Sequence, residues 1–269
     1  MANLLLHSLK EFDEVIFGIA ERLELSGVLE IGSETGVFSE RLLAFCAERK
    51  VVLTSIDPFP AEALVEVARE SETLHLVVGY SLPHLREFGT DANLVLIDGD
   101  HNYYTVSNEL ELIHAAWRAR DMAGVILLHD VGFPCGDRDS YYDPATIPEE
   151  ARHPHSFAHG VTLDSKAAIK GGFRGEGAFA WALEAGGPRN GVLTAVNDFV
   201  AQHPEYTYRS VGAVFGLGAL TLAGSAADAS VGEVLGRYDN ALIRRLERNR
   251  LELYLKVIEL QDLLTAGAK

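Results

Sequence analysis

The sequence has little cysteine. Cys46 and Cys135 stand alone, without the paired spacing of a metal site, and read as a buried helix residue and a loop residue in a reducing compartment. Positive charge is scarce as well: 23 Lys and Arg face 39 Asp and Glu, for a formal net charge of −16. Nucleic-acid binders carry a basic stripe that neutralises phosphates. None is present, so a small-molecule partner fits better and no nucleic acid is expected. Long apolar runs are missing too. Residues 1–7 have no basic flank, and Glu11, Asp13 and Glu14 soon break the apolar pattern. Neither a secretory signal nor a membrane span is expected, and the cytoplasm is the expected location. The dinucleotide fingerprint Gly-x-Gly-x-x-Gly does not follow the first strand, which argues against a nicotinamide cofactor.

What is present is a repeated ending. Four apolar runs close on an acidic residue: Val-Leu-Glu-Ile-Gly at Glu30, Leu-Thr-Ser-Ile-Asp at Asp57, Leu-Val-Leu-Ile-Asp-Gly-Asp-His at residues 94–101, and Val-Ile-Leu-Leu-His-Asp at Asp130. Continuous apolar runs are the pattern of fully buried strands, and ligands of an open α/β sheet collect beyond the carboxyl ends of those strands. A single strand-end Asp is often only a helix cap. Four of them through one half of a 269-residue chain suggest a shared cleft holding Asp98, Asp100 and His101.

Between the runs lie helical periods. Leu9, Phe12, Val15, Ile16, Ile19 and Leu23 predict a cover helix over 8–25. After the first strand, Gly32 and Gly36 flank Ser33 in a tight turn into a helix, and the lack of a Cβ at both lets the backbone approach a ligand closely. Asp57 follows at the interval where a carboxylate meets ribose hydroxyls in nucleotide-binding α/β folds, with a cap before Pro58 as the competing reading. Tyr80 and Ser81 form the turn after a third strand. Asp98 and Asp130 close strands expected to be neighbours, and two converging carboxylates repel unless a cation sits between them. Mg²⁺, which prefers oxygen ligands, is the economical choice. His101 has the reference pKa of a general base, about 6.5, with a helix-capping histidine as the competing role.

Residues 131–176 show no clean period and read as a lid over an acceptor. Tyr141, Tyr142, His153, His155, His159 and Arg174 are its candidate acceptor contacts, by stacking or hydrogen bonds. Leu235, Leu242, Leu246, Leu253, Val257, Leu260 and Leu264 predict one long helix over 231–264, within a helical extension at 226–269 that follows a main domain at 1–225. An apolar stripe on such a helix is buried either on its own domain or on a second subunit of a homo-oligomer.

Residues 28–36, Asp57 and residues 97–130 together resemble the class I S-adenosylmethionine-dependent methyltransferases. The resemblance implies a Rossmann-like, doubly wound, seven-stranded and mostly parallel sheet with helices on both faces. It also implies that Glu30, Gly32, Ser33 and Gly36 line the methionine part of the cofactor, with Asp98 near it, Asp57 on the ribose and Tyr80 and Ser81 near the adenine. Ile97-Asp98-Gly99-Asp100-His101 with His129-Asp130 is similar to the metal-dependent macrocin and rhamnosyl O-methyltransferases of sugar and natural-product tailoring. In that group the positions of Asp98 and Asp130 bind the metal and that of His101 is the base. His129 stands where some members carry an acidic ligand. The reading is a divalent-metal-assisted O-methyltransferase acting on a hydroxyl of a sugar or glycosylated small molecule. The alternatives are a phenol or catechol acceptor, or a cofactor-binding partner protein that transfers no methyl group.

Overall fold

A computed structural model describes residues 5–267. Residues 1–4, where the stretch weighed above as a signal begins, and 268–269 lie outside the described residues. No described helix is long and apolar enough to cross a membrane. A short 3₁₀ turn, Leu9–Phe12, leads into α1 (Asp13–Ala20), so the predicted cover helix is present but shorter. Strands β1 (Val28–Ile31), β2 (Leu53–Asp57), β3 (Leu74–Val78), β4 (Leu94–Ile97) and β5 (Val125–His129) then alternate with α2 (Val37–Arg49), α3 (Glu62–Glu70), α4 (Ser81–Phe88) and α5 (Tyr103–Ala119).

Between β5 and α6 (Val192–Gln202) lie the short strands β6 (Ser140–Tyr141), β7 (His155–Ser156), β8 (Gly160–Thr162), β9 (Ser165–Ile169), β10 (Phe173–Arg174) and β11 (Ala180–Ala182). The hairpin β12 (Tyr206–Val211) and β13 (Leu217–Leu222) is followed by α7 (Ala226–Leu235) and α8 (Ala241–Gly267). The main sheet has seven strands in the order β12-β13-β5-β4-β1-β2-β3. β13 runs opposite to the other six strands of this sheet, pairing antiparallel with β5 and β12. This is the doubly wound, mostly parallel sheet expected.

Successive strand residues point to opposite faces, and here both faces are apolar. Val28, Leu94, Leu96, Val125 and Leu127 pack with α1, α2 and α7 on one side. Leu29, Val95, Ile97, Ile126 and Leu128 pack with α5 and α6 on the other. The helix predicted over 231–264 is two helices. Val231, Val234 and Leu235 of α7 are buried in the main core. The chain then breaks after Leu235, and Asn240 Oδ1 accepts from Ile243 N at 3.0 Å to start α8. Asparagine at that position caps a helix and Gly236 interrupts one, so the break has a local cause.

The insertion expected to lack regular structure reaches Gly191 and holds two three-stranded sheets, β10-β8-β9 and β6-β11-β7. Strands of two to five residues are too short to show a period. Asp139 ties the insertion to the main domain. Its Oδ1 accepts from Tyr103 N at 2.7 Å and Gly191 N at 2.6 Å, and its Oδ2 from the Tyr141 hydroxyl at 2.7 Å. Replacing Asp139 by Ala leaves these donors without an acceptor in a fully buried place. The expected loss is about 3 kcal/mol or more of unfolding free energy, read by urea denaturation, and a loss below about 1 kcal/mol would contradict this role.

Candidate active site

The strand order reverses between β1 and β4, which is where a doubly wound sheet opens a crevice. The backbone there is close-packed. Asp98 N donates to Ile31 O at 2.8 Å, and a Cβ added to Gly32, whose φ is +89°, would stand 2.3 Å from the Asp98 carbonyl oxygen. Glycine is the residue that fits, for both conformation and space. The same contact sets Asp98 against the turn that follows β1.

At the ends of β4 and β5, four side-chain atoms meet. The Nε2 atom of His101 lies 3.3 Å from Asp98 Oδ1 and 3.1 Å from Asp130 Oδ2. His129 Nδ1 lies 3.0 Å from the same Asp98 oxygen and 3.4 Å from the same Asp130 oxygen. Parallel pairing of β4 with β5 places the two carboxylates side by side, and Asp130 completes the approach in a left-handed conformation at φ +58°. His129 Nε2 donates to the Val214 carbonyl at 2.9 Å. With Nε2 so tied, Nδ1 is the nitrogen that faces both carboxylates: protonated it donates to them, and deprotonated it is the atom a metal would take, which is how a metal-ligating histidine is oriented.

The electrostatics follow from that geometry. Burial pulls the His129 ring down, but Asp98 and Asp130 more than offset this and push it up to about 10. His101 is treated the same way, with burial outweighed by Asp130 and Asp98, and reaches about 9. Burial raises Asp98, yet His129 and His101 hold it well below the usual carboxylate range. With only protons to balance them, two carboxylates and two imidazolium rings sum to zero charge. A divalent cation carries the charge of those two protons, and oxygens of Asp98 and Asp130 with a nitrogen of His129 lie within 4.8 Å of one another. The donors therefore fit such an ion. The imidazole makes the set less purely oxygen than Mg²⁺ favours.

The residues expected around the cofactor divide into two groups. Gly32, Ser33 and Gly36 form the turn into α2, whose amino terminus has no side-chain cap among the described residues and leaves amide donors for a ligand. Asp57 Oδ2 holds this turn by accepting from Ser33 N at 2.7 Å and Ser33 Oγ at 3.0 Å, while Oδ1 accepts from Phe59 N. Tyr80 is exposed at the turn after β3. A carboxylate, open amides and an exposed ring suit a nucleoside carrying an amino acid. Glu30 and Ser81 lie beneath. Glu30 accepts from Ser39 at 2.7 Å and Ser55 at 2.6 Å, and burial pushes its carboxyl up to about 7. The Ser81 hydroxyl is donated to Glu109.

Of the insertion residues, Tyr142 alone among the expected contacts has its ring against His101, with centroids 5.9 Å apart. The others are engaged elsewhere. Tyr141 is fully buried on Asp139, His153 Nε2 meets the Arg189 carbonyl at 2.7 Å, and His155 Nδ1 meets the His153 carbonyl at 2.9 Å. His159 pairs with Ser156 at 2.7 Å, and Arg174 makes a two-pronged ion pair with Asp262 of α8 at 2.8 Å. Asp143 accepts from the Tyr80 hydroxyl at 3.1 Å, so the insertion also touches the β3–α4 turn. A cavity of about 630 Å³ between the β8–β9 hairpin and α8 is lined by none of the clustered residues.

Two neighbours of the cluster carry no signal in the sequence. Cys135, an isolated loop thiol, lies with its sulfur within 4.8 Å of His101 and Asp130, and burial first, then Asp130, Asp139 and Asp98, push it well above its usual pKa. Glu109 occupies what looks like an ordinary polar position of α5 but is fully buried. Burial raises it to about 8 despite the Ser81 hydrogen bond, and its Oε2 has no hydrogen-bond partner among the described residues. A carboxyl raised on folding stabilises the fold below its unfolded pKa of about 4.5 and loses that contribution as pH rises through about 8. Glu109→Gln is therefore expected to lessen the fall in unfolding free energy between pH 5 and pH 9, measured by urea titration. Parallel pH profiles for variant and parent would contradict it.

No curated protein matches the sequence. Among solved structures, the SAH-bound Podospora anserina methyltransferase PaMTH1 shares 13% identity over 80% of this chain and 79% of that one, with a TM-score of 0.45. The O-methyltransferase TomG of Streptomyces achromogenes, solved with SAM and involved in tomaymycin synthesis, shares 15% over 81% of each chain, with a TM-score of 0.43. Residues 29–131, from β1 to the residue after Asp130, match the family model described as a methyltransferase domain.

Proposed function

We propose that the protein is an S-adenosylmethionine-dependent, divalent-metal-assisted O-methyltransferase acting on a hydroxyl of a sugar or glycosylated small molecule. The observation that carries this reading is the meeting of Asp98, Asp130, His101 and His129 at the ends of β4 and β5, with Asp98 packed against the Gly32 turn at the switch point. The methyltransferase-domain match over 29–131 supports the reaction class. In this reading Gly32, Ser33, Gly36, Asp57, Tyr80 and the backbone at Asp98 hold the cofactor, and Glu30 and Ser81 support them from below. Asp98, Asp130 and His129 hold the cation, which is Mg²⁺ or another divalent ion.

When bound, S-adenosylmethionine supplies an electrophilic methyl group and the cation supplies Lewis acidity toward an acceptor hydroxyl. With a cation in place of the protons that the carboxylates otherwise hold, His101 would be neutral and its Nε2, the atom that faces the two carboxylates, would take the hydroxyl proton. His129, held by the Val214 carbonyl, keeps its other nitrogen on the cluster. Tyr142 offers a ring beside His101 for an acceptor to stack on. An alcohol loses its proton far less readily than a phenol, whose pKa is near 10, so a base at this position favours a sugar over a catechol.

Chelator-treated protein is expected to lose methyl transfer and regain it with Mg²⁺ or Mn²⁺. Asp98→Asn is expected to lose the metal-dependent rate without unfolding, and His101→Ala to lower kcat by about 10²- to 10⁴-fold. Assays on sugar-bearing and catechol acceptors, with S-adenosylhomocysteine as readout, check each point. Full activity after chelation, or turnover of catechols alone, would contradict the reading.

A further inference from the structure

Helix α8 has two apolar faces. Leu251 and Ile258 turn inward, with Leu251 packed against Leu5 and Phe215. On the opposite side Leu242, Leu246, Leu253, Leu260 and Leu264 are each between 50% and 75% exposed, and at 100° per residue they fall within one narrow stripe. A stripe about 33 Å long, left open among the described residues, is larger than scattered surface leucines explain.

The spacing of the stripe says what covers it. Leu246 and Leu260 stand 7 residues to either side of Leu253, and Leu242 and Leu264 stand 11 to either side. The pattern therefore reads the same in both directions from Leu253. A surface that matches itself after a half-turn is what a two-fold dimer requires. The charges agree. Arg245 near the amino end and Glu259 near the carboxyl end lie on the same flank of the stripe, as do Glu252 and Lys256. Two antiparallel copies centred on Leu253 set Arg245 of each near Glu259 of the other, and Glu252 near Lys256, beside the pairs that Glu252 and Glu259 make with Arg248 and Lys256 of their own helix. A parallel pair instead brings Arg245 against Arg250, like charge on like.

We propose that α8 is a homodimerisation helix that pairs antiparallel with α8 of a second copy of this chain about a two-fold axis at Leu253. Light scattering on the full chain at micromolar concentration is expected to give twice 29.3 kDa. Leu253→Glu sets two like charges face to face at the axis and is expected to raise the dissociation constant about 100-fold or more, giving monomers with unchanged circular dichroism.

Direction is read by oxidative cross-linking. Leu246→Cys combined with Leu260→Cys in one chain is expected to give a covalent dimer. Leu246→Cys alone is expected to give none, because its two copies then lie about 21 Å apart, beyond disulfide reach. The native Cys46 and Cys135 are buried and do not compete. A monomeric parent, a dimer indifferent to Leu253→Glu, or cross-linking by Leu246→Cys alone would each overturn the proposal.

Discussion

Two carboxylates at the ends of adjacent parallel strands need positive charge between them, and the site is built around that need. β4 and β5 run side by side in register, Ile97 opposite Leu128, which brings Asp98 and Asp130, just beyond the strands, to the same end of the sheet. Two imidazoles, His101 and His129, face the same pair of oxygens and answer the charge when protonated. A divalent cation answers it equally well and frees the rings. An arrangement stable with either is a suitable cradle for an ion that binds and leaves.

The surroundings hold that cradle in shape. The Val214 carbonyl that fixes His129 belongs to a turn where Val214 and Phe215 take positive φ values of 46° and 65°. Such backbone is unfavourable for these side chains and persists only where neighbours impose it. Here the neighbours are Gly132 N, donating to the Phe215 carbonyl at 2.6 Å, and Glu247 of α8, accepting from Phe215 N at 3.1 Å. The last helix thus braces the turn that orients a residue of the cluster.

Much of this was legible in the sequence because it depends on local pattern. Apolar runs ending in Glu30, Asp57, Asp98 and Asp130 marked the strands and the end of the sheet where the site lies. Gly32 and Gly36 marked the turn. What stayed hidden depends on contacts between distant segments. Glu109 and Ser81 are 28 residues apart, and nothing near Glu109 in the chain signals burial. Asp139 organises the insertion through donors at Tyr103 and Gly191, which no local period reveals. Tyr141 and Arg174 looked like acceptor contacts because loop aromatics and arginines often are. One is a buried strut, and the other is paired to Asp262 in α8.

The proposed cation is tested most directly by anomalous diffraction from crystals grown with Mn²⁺ and S-adenosylhomocysteine. The expected result is a single strong peak bounded by Asp98, Asp130 and Nδ1 of His129, with His101 turned toward the space above it. A map without density there, with both rings still on the carboxylates in saturating metal, would contradict it.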